Sequence, residues 1–263
     1  MGDNHIQKLG GEIMAIIRFN NIDNPDWMEI TNITDRVLPL LEVSSVNIRG
    51  RAGVTRGSKD LGTREIIVTF NIDADTEQQM RERARWLANE FLYTDGPAEF
   101  YQYRNPDVYY LAEVSTGGEL REESILGTRA NLQVVFTCYN SLALSVDTTR
   151  HTWATVSGVG ATFTNNGYTT FPTITFRVTS ALTEIRLSMN GQEMLLQGAG
   201  LVSNGDIIVI DSEAGTITRN GVRFINRLTP SSRFPIIRKG LNNLSITQST
   251  ITDINITYQE RWL

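Results

Sequence analysis

Residues 204–221 read NGDIIVIDSEAGTITRNG, four branched apolar residues between two aspartates with Asn-Gly at either end. Two nearby carboxylates raise the question of an acidic catalytic pair. In an extended strand successive side chains point to opposite faces, so Asp206 and Asp211, five positions apart, cannot converge on one substrate atom. The stretch instead predicts a turn at Asn204-Gly205, a strand, a loop over 211–215 and a returning strand through the β-branched Thr216-Ile217-Thr218. That is a hairpin of a β-sandwich.

The same grammar recurs on both sides of it. NNGYTTFPTITFRV, EIRLSMNGQEMLLQ, DIIVID, TITRNG and LSITQSTITDINITYQERWL are short strands separated by Asn-Gly, Gly-Asp and Gly-rich turns, with no helical period among them. The second half therefore reads as all-β. Residues 141–162 are short of large apolar side chains and rich in Ser, Thr and Gly, which predicts a linker with a domain boundary near 147–159.

The first half reads differently. An apolar run over 15–19 is followed by turn residues at 20–25; Leu41, Val43 and Ser45 share one strand face, and residues 65–72 are a β-branched strand. Between them NIRGRAGVTRGSKDLGTR, residues 47–64, is basic and Gly-rich. It lacks the interleaved aromatics or basic helix of a nucleic-acid patch, and reads as a solvated hairpin or arm. The one helix spans about 75–93, with Asp75 or Thr76 as N-cap and Gln78 or Gln79 placed for a capping box. Met80, Ala84, Leu87 and Phe91 form its apolar stripe, and Asp95-Gly96-Pro97 ends it. The strands AEFYQYRN, DVYYLAEV and RANLQVVFTCY complete an α+β unit.

The expected division is thus 1–13 as a leader or non-native segment, 14–150 as an N-terminal α+β domain, and 151–263 as a C-terminal β-sandwich whose last strand returns to the first domain. MGDNHIQKLGGEI has no secretory apolar core. Residues 10–14, GGEIM, back-translate to a purine-rich ribosome-binding sequence before a start codon, so native translation is expected to begin at Met14. An intact mass from the natural gene that retained Gly2 to Ile13 would contradict this.

Bulk properties exclude several function classes. With 263 residues, 40% hydrophobic and 20% charged, the chain is an ordinary globular one. No segment approaches the roughly 18–20 uninterrupted apolar residues of a membrane span, so no membrane partner is expected. A net charge of -5 argues against general nucleic-acid binding, which needs cations against phosphates. The single Cys138 excludes an internal disulfide and reads as a buried small apolar residue.

Catalytic constellations are missing. His5 lies in the leader and His151 in the expected linker, and no nucleophile elbow, phosphate-binding loop or HExxH helix occurs. Glu122 with Glu123, Glu113 with Glu119, and Asp253 with Glu260 could supply a glycosidase's two carboxylates, which stand about 5–9.5 Å apart, but no accompanying motif supports them. No catalytic, cofactor or metal site is expected. Trp153, Tyr168 and Trp262 are candidates for stacking on sugar; for Tyr168 and Trp262 the alternative is to cover the sandwich core or a seam between domains.

The order of these pieces resembles the distal tail proteins of long-tailed siphophages, especially those infecting Gram-positive bacteria. The resemblance rests on LPLLEVSSVNIRGRAG, REIIVTFNI and DTEQQMRERARWLANEFL in the first half. NNGYTTFPTITF, SNGDIIVIDSEAGTITRNG and LNNLSITQSTITDINITYQERWL carry it in the second. Where the family commonly has Pro-Gly-x-Asn before its last strands, Lys239-Gly240-Leu241-Asn242 stands here, keeping Gly240 and Asn242 without the proline. The resemblance implies a mainly β virion protein at the distal end of the tail, made in the host cytoplasm. In it an N-terminal ring-forming domain, a β-sandwich with one helix, carries an outward galectin-like or carbohydrate-binding-module-like sandwich. It implies a homo-hexamer, with a back-to-back dodecamer as the alternative in isolation. The major tail tube protein and the tail-associated hub protein would be its neighbours, with the tape measure and receptor-binding proteins as further ones, and DNA would pass through the ring without specific binding. The alternative reading is a carbohydrate-binding module that contacts the host surface.

Overall fold

The computed structural model describes residues 8–9, 12–13, 17–36, 38–47, 49, 54–116, 121–122, 127–156 and 160–263. His5, Met14, Glu119, Glu123 and residues 50–53 of the basic segment lie outside the described residues. The chain divides into two compact units, 1–143 with Leu263 and 144–262.

In the first unit the strands Val108–Thr116, Arg129–Cys138, Arg64–Asp73 and Met28–Asp35 pair in that order, all antiparallel. Ala98–Gln102 pairs with Val108–Thr116 and with Ile17–Phe19, which in turn pairs with Ile22–Asp23. Alternation explains what the sheet buries: Ile66, Val68, Phe70 and Ile72 from one strand meet Leu132, Val134 and Phe136 from the next. The centre is aromatic. Phe136 sits 4.9 Å from Phe19 and 4.7 Å from Phe100 between ring centroids, and Phe91 reaches Phe19 at 6.1 Å.

The helix covers this core. It runs as α-helix over Glu77–Trp86 and continues as a π-helical turn over Leu87–Leu92. Thr76 accepts from the Gln79 backbone N–H at 3.2 Å, while the Gln79 side chain accepts from Asp75 N–H at 2.7 Å, so two of the orphan donors at the helix start are satisfied reciprocally. Met80, Leu87 and Phe91 are buried, as the apolar spacing predicts.

A buried cation ties three segments together. Arg64 is 2% exposed; its Nη1 donates to Asp35 Oδ1 at 3.0 Å and to the Arg36 carbonyl at 2.7 Å, and its Nε donates to the Ser141 carbonyl at 3.0 Å. The guanidinium lies 5.2 Å from the centroid of the Tyr110 ring. Cys138 is fully buried, and burial pushes its thiol up to about 12, so it is an inert core residue.

The second unit is a sandwich. One sheet orders Val222–Arg223, Thr216–Arg219, Ile207–Asp211, Thr173–Val178, Ile251–Trp262 and Ala143–Trp153; the other orders Ala161–Asn165, Gly240–Ile246, Leu182–Met189 and Gln192–Val202. Ile174, Phe176, Ile208, Ile210 and Ile256 of the first join Phe163, Leu187, Met189, Leu196 and Leu244 of the second in one core. The segment expected as a linker is in part an 11-residue strand, Ala143–Trp153. Its Ser and Thr residues are strand formers with a solvated face, and their lack of bulk resembled a linker only in composition.

The hairpin 204–221 forms as read. Ile210 opposes Ile217 and Asp211 opposes Thr216. Asn190-Gly191 and Asn220-Gly221 all take positive φ, between 50° and 80°, the geometry that tight two-residue turns require. Gly167 meets a different demand. A Cβ there would stand 2.7 Å from the Arg261 carbonyl oxygen, a backbone atom that cannot give way.

The irregular segment before Gly240–Ile246 has a single antiparallel bridge, Thr170 with Ile237, and is otherwise held by asparagine amides. Asn242, wholly buried, donates to the carbonyls of Arg238 and Gly240 at 2.8 Å each, and its Oδ1 accepts from Arg238 N–H at 2.8 Å and Asn190 Nδ2 at 2.7 Å. Asn190 also donates to the Ile236 carbonyl at 3.2 Å. Gly240 has φ +89°. The turn that lacks the family's proline is fixed by this amide network.

Candidate interaction surfaces

The carboxylates named from sequence have structural partners or stand apart. Asp206 accepts from Ser203 N–H at 2.6 Å and Asn220 Nδ2 at 2.7 Å, and pairs with Arg219 at 2.8 Å; these contacts outweigh its burial and hold its carboxyl below the usual range. Asp211 accepts from the N–H groups of Glu213 and Ala214, closing the hairpin loop. Asp253 pairs with Arg177 at 3.4 Å, and Glu260 accepts from Asn166 N–H at 3.4 Å. Among the described residues no three metal-ligating side chains converge.

The aromatic candidates are not brought together by ring contact. Trp153 stacks on His151 at 5.8 Å and 22°, and both lie near Phe163 over the sandwich core. Tyr168 and Trp262 are about 40% exposed, at 41% and 38%, and neither joins that layer. His151 was given no role by sequence; it stands at the centre of the layer, with Nε2 3.4 Å from Tyr258 OH. Strand placement is what would have revealed it, since residues 149, 151 and 153 alternate with exposed Arg150 and Thr152.

Burial holds His151 below its ordinary 6.5. As pH falls below about 6.5 the unfolded chain takes up a proton that the folded chain refuses, so stability of this unit is full above that pH and declines below it until the folded value is passed. His151→Phe is expected to flatten this slope in thermal melts taken from pH 7.5 to 5. An unchanged slope would assign the pH dependence elsewhere.

Two features of the first unit face solvent without such closure. Among the described residues the strands Leu41–Asn47 and Val54–Leu61 pair only with each other, as a two-stranded ribbon. Val43 is 50% exposed and Leu41 38%, and Leu38 and Leu40 at its base are 51% and 50% exposed. The alternation of Leu41, Val43 and Ser45 was legible; that their face would meet no part of their own sheet was not.

The second is an open cleft of about 410 Å³ lined by Ala88, Leu92, Tyr93, Thr94, Glu113 and Val114. The π-helical turn supplies Ala88 and Leu92, and the strand Val108–Thr116 supplies Glu113 and Val114. Insertions of this kind into a helix often occur where a protein binds something.

The outer face of the main sheet is polar. Asn131 donates to Asn71 Oδ1 at 2.8 Å, and Asn71 to Glu29 Oε2 at 3.2 Å; Glu65 and Glu113 flank Thr137 in register. Arg129 lies 3.7 Å from Glu29 and 3.5 Å from Asp73.

Residues 12–138 match the phage tail protein RIFT-related domain, and residues 166–262 match the C-terminal domain of the siphovirus-type tail component. Among solved structures the chain is similar to the Dit protein of phage SPP1, described as a paradigm of the hub adsorption apparatus in phages infecting Gram-positive hosts. The identity is 18% and the TM-score 0.80, with 95% of this chain and 99% of that one covered. A likeness to a chain of the activated phage P2 baseplate, at 8% identity and TM-score 0.46 over 95% of this chain and 98% of that one, is too slight to argue from. No curated protein matches the chain.

Proposed function

The chain belongs to the distal tail proteins of siphophages, and from that premise we propose that it is a hub, six copies of which close into a ring joining the tail tube to the adsorption apparatus. Its place is the virion tail, and its role in the tail and baseplate is structural. In this reading the N-terminal unit forms the ring and the sandwich projects outward to dock or space neighbouring tail proteins. It carries no reaction, and DNA transits the ring.

The observation that carries the reading is the two-stranded ribbon. An isolated two-stranded hairpin is marginally stable in water at best, and one with exposed leucine and valine side chains is expected to gain its stability from a partner surface. Ring assembly supplies such a surface at every subunit, because heterologous contacts repeat until the ring closes. Deleting residues 51–62 is expected to reduce the assembly to monomers or short arcs in light scattering. An unchanged oligomer would remove the ribbon from the interface.

The outer face of the main sheet carries Glu29, Glu65, Asp73 and Glu113, and its Arg129 is already flanked by two of these carboxylates, which fits a channel that repels passing DNA. Tight DNA binding at physiological salt would count against this. The decisive experiment is light scattering across the size-exclusion peak of the full chain, followed by negative-stain imaging. Six or twelve copies in a ring support the hub. A strict monomer over a wide concentration range favours the carbohydrate-binding module instead.

A further inference from the structure

We propose that Asn204 is a site of spontaneous modification, the Asn-Gly pair that the fold leaves free to convert its side-chain amide to a carboxylate while it protects the others. The inference stands apart from the ring reading and concerns the second unit alone. The chain has four such pairs, Asn166-Gly167, Asn190-Gly191, Asn204-Gly205 and Asn220-Gly221.

The reaction begins when the glycine nitrogen gives up its proton to solvent base and bonds to the asparagine side-chain carbonyl carbon. That carbon then releases the side-chain nitrogen as ammonia, leaving a cyclic imide, and water opens the imide to aspartate or isoaspartate. Glycine in second place favours the step because it has no Cβ to hinder the attacking nitrogen. In a folded chain the rate depends on whether the amide can swing over the peptide that follows it.

Three of the pairs are restrained. Asn190 Oδ1 accepts from Asn243 N–H at 3.0 Å, and its Nδ2 donates to the Ile236 carbonyl at 3.2 Å and to Asn242 Oδ1 at 2.7 Å. Asn220 Oδ1 accepts from Ile207 N–H at 2.8 Å, and its Nδ2 donates to Asp206 Oδ1 at 2.7 Å, so a carboxylate in its place would face Asp206. Asn166 is exposed, but Gly167 is buried against the backbone of Arg261, and its N–H donates to Asn165 Oδ1 at 3.1 Å. The Gly167 nitrogen has no room to turn toward the side chain.

Asn204 differs in each respect. It and Gly205 are exposed, its side-chain amide makes no hydrogen bond among the described residues, and a Cβ on Gly205 would meet nothing within 4 Å. The attacking nitrogen is held by one bond, from Gly205 N–H to the Val178 carbonyl at 2.8 Å. The turn around it is closed separately, by Asp206 N–H on the Ser203 carbonyl at 3.2 Å and by Ser203 N–H on Asp206 Oδ2 at 2.6 Å. Rotating the Asn204-Gly205 peptide therefore breaks a single backbone bond and leaves the turn closed, an opening from the low-cost end of local fluctuations.

The test incubates the full chain at mildly alkaline pH and follows its peptides by mass spectrometry, with fragment ions locating each converted asparagine and isoaspartyl methyltransferase labelling the isoaspartate product. Asn204 is expected to convert at least ~10-fold faster than Asn166, Asn190 or Asn220. The same chain unfolded in guanidinium chloride is expected to convert at all four positions at similar rates, because the glycine is common to them and the restraints are gone. Asn204→Gln, whose imide would need a larger ring, is expected to remove the fast phase and leave the other three pairs unchanged. Conversion led by another pair, or equal rates in the folded chain, would overturn the assignment. So would an Asn204 that stays unconverted in the folded chain while the unfolded chain reacts. A lead of the same size in guanidinium chloride would place the cause in the neighbouring residues and overturn the role given to the fold.

Discussion

Replacing Asn242 by alanine is expected to cost residues 144–262 about 3 kcal/mol or more of stability, since each buried polar group left unsatisfied costs roughly 1–3 kcal/mol. Four partners lose their bond at once: the N–H and carbonyl of Arg238, the Gly240 carbonyl and the Asn190 amide. Water cannot easily replace the amide, because Asn242 is wholly buried. Asn242→Asp keeps the acceptor but sets a carboxylate oxygen against the carbonyl oxygens of Arg238 and Gly240 in a buried site, and is expected to cost at least as much as alanine. Chemical denaturation with hydrogen exchange resolved over residues 161–262 measures both. A loss below about 1 kcal/mol would mean that the segment before Gly240 is held by its other contacts, notably the pairing of Thr170 with Ile237.

Phe136→Ala is expected to destabilise the first unit by about 3–5 kcal/mol. The ring is buried between Phe19 and Phe100 and lies on a strand hydrogen-bonded on both sides. Collapse into the space is opposed from each direction, because aromatic neighbours are rigid and a central strand cannot shift alone. Hydrogen exchange over residues 64–73 and 129–138 is expected to lose most protection. Phe136→Leu keeps much of the volume and serves as the mild control. Equal effects of the two substitutions would show that shape matters less here than burial.

The two substitutions illustrate how far the sequence reaches. Phe136 could be placed in the core from alternation alone, since the strand RANLQVVFTCY sends every second residue inward. Asn242 could not be assigned its work that way. Its partners Arg238 and Gly240 are near in sequence, but Asn190 is 52 positions away and meets it only after two strands have paired. The resemblance to the family marked the position and the turn's physical cause came from the tertiary contacts.

His151 shows a similar divide. The composition of residues 141–162 suggested a linker, whereas the chain there is a strand that turns His151 and Trp153 onto Phe163. Small β-branched and hydroxyl residues serve a linker and a half-exposed strand equally well, and only the neighbouring strand's hydrogen bonds decide between them.

By itself the sequence determined the class of the protein: mainly β, one helix with its cap and apolar stripe, Asn-Gly turns at fixed places, and an order of pieces shared with siphophage distal tail proteins. These are local properties, set by side-chain periodicity and turn chemistry within a few residues. The tertiary structure alone decided which apolar faces remain unpartnered. Leu41 and Val43 alternate like any core strand, yet among the described residues their ribbon pairs with no other strand and leaves both exposed, while the cleft at Ala88, Leu92 and Val114 arises where a helix end meets a distant strand. Burial is a property of what lies opposite, and what lies opposite is fixed by long-range packing that no short stretch of sequence encodes.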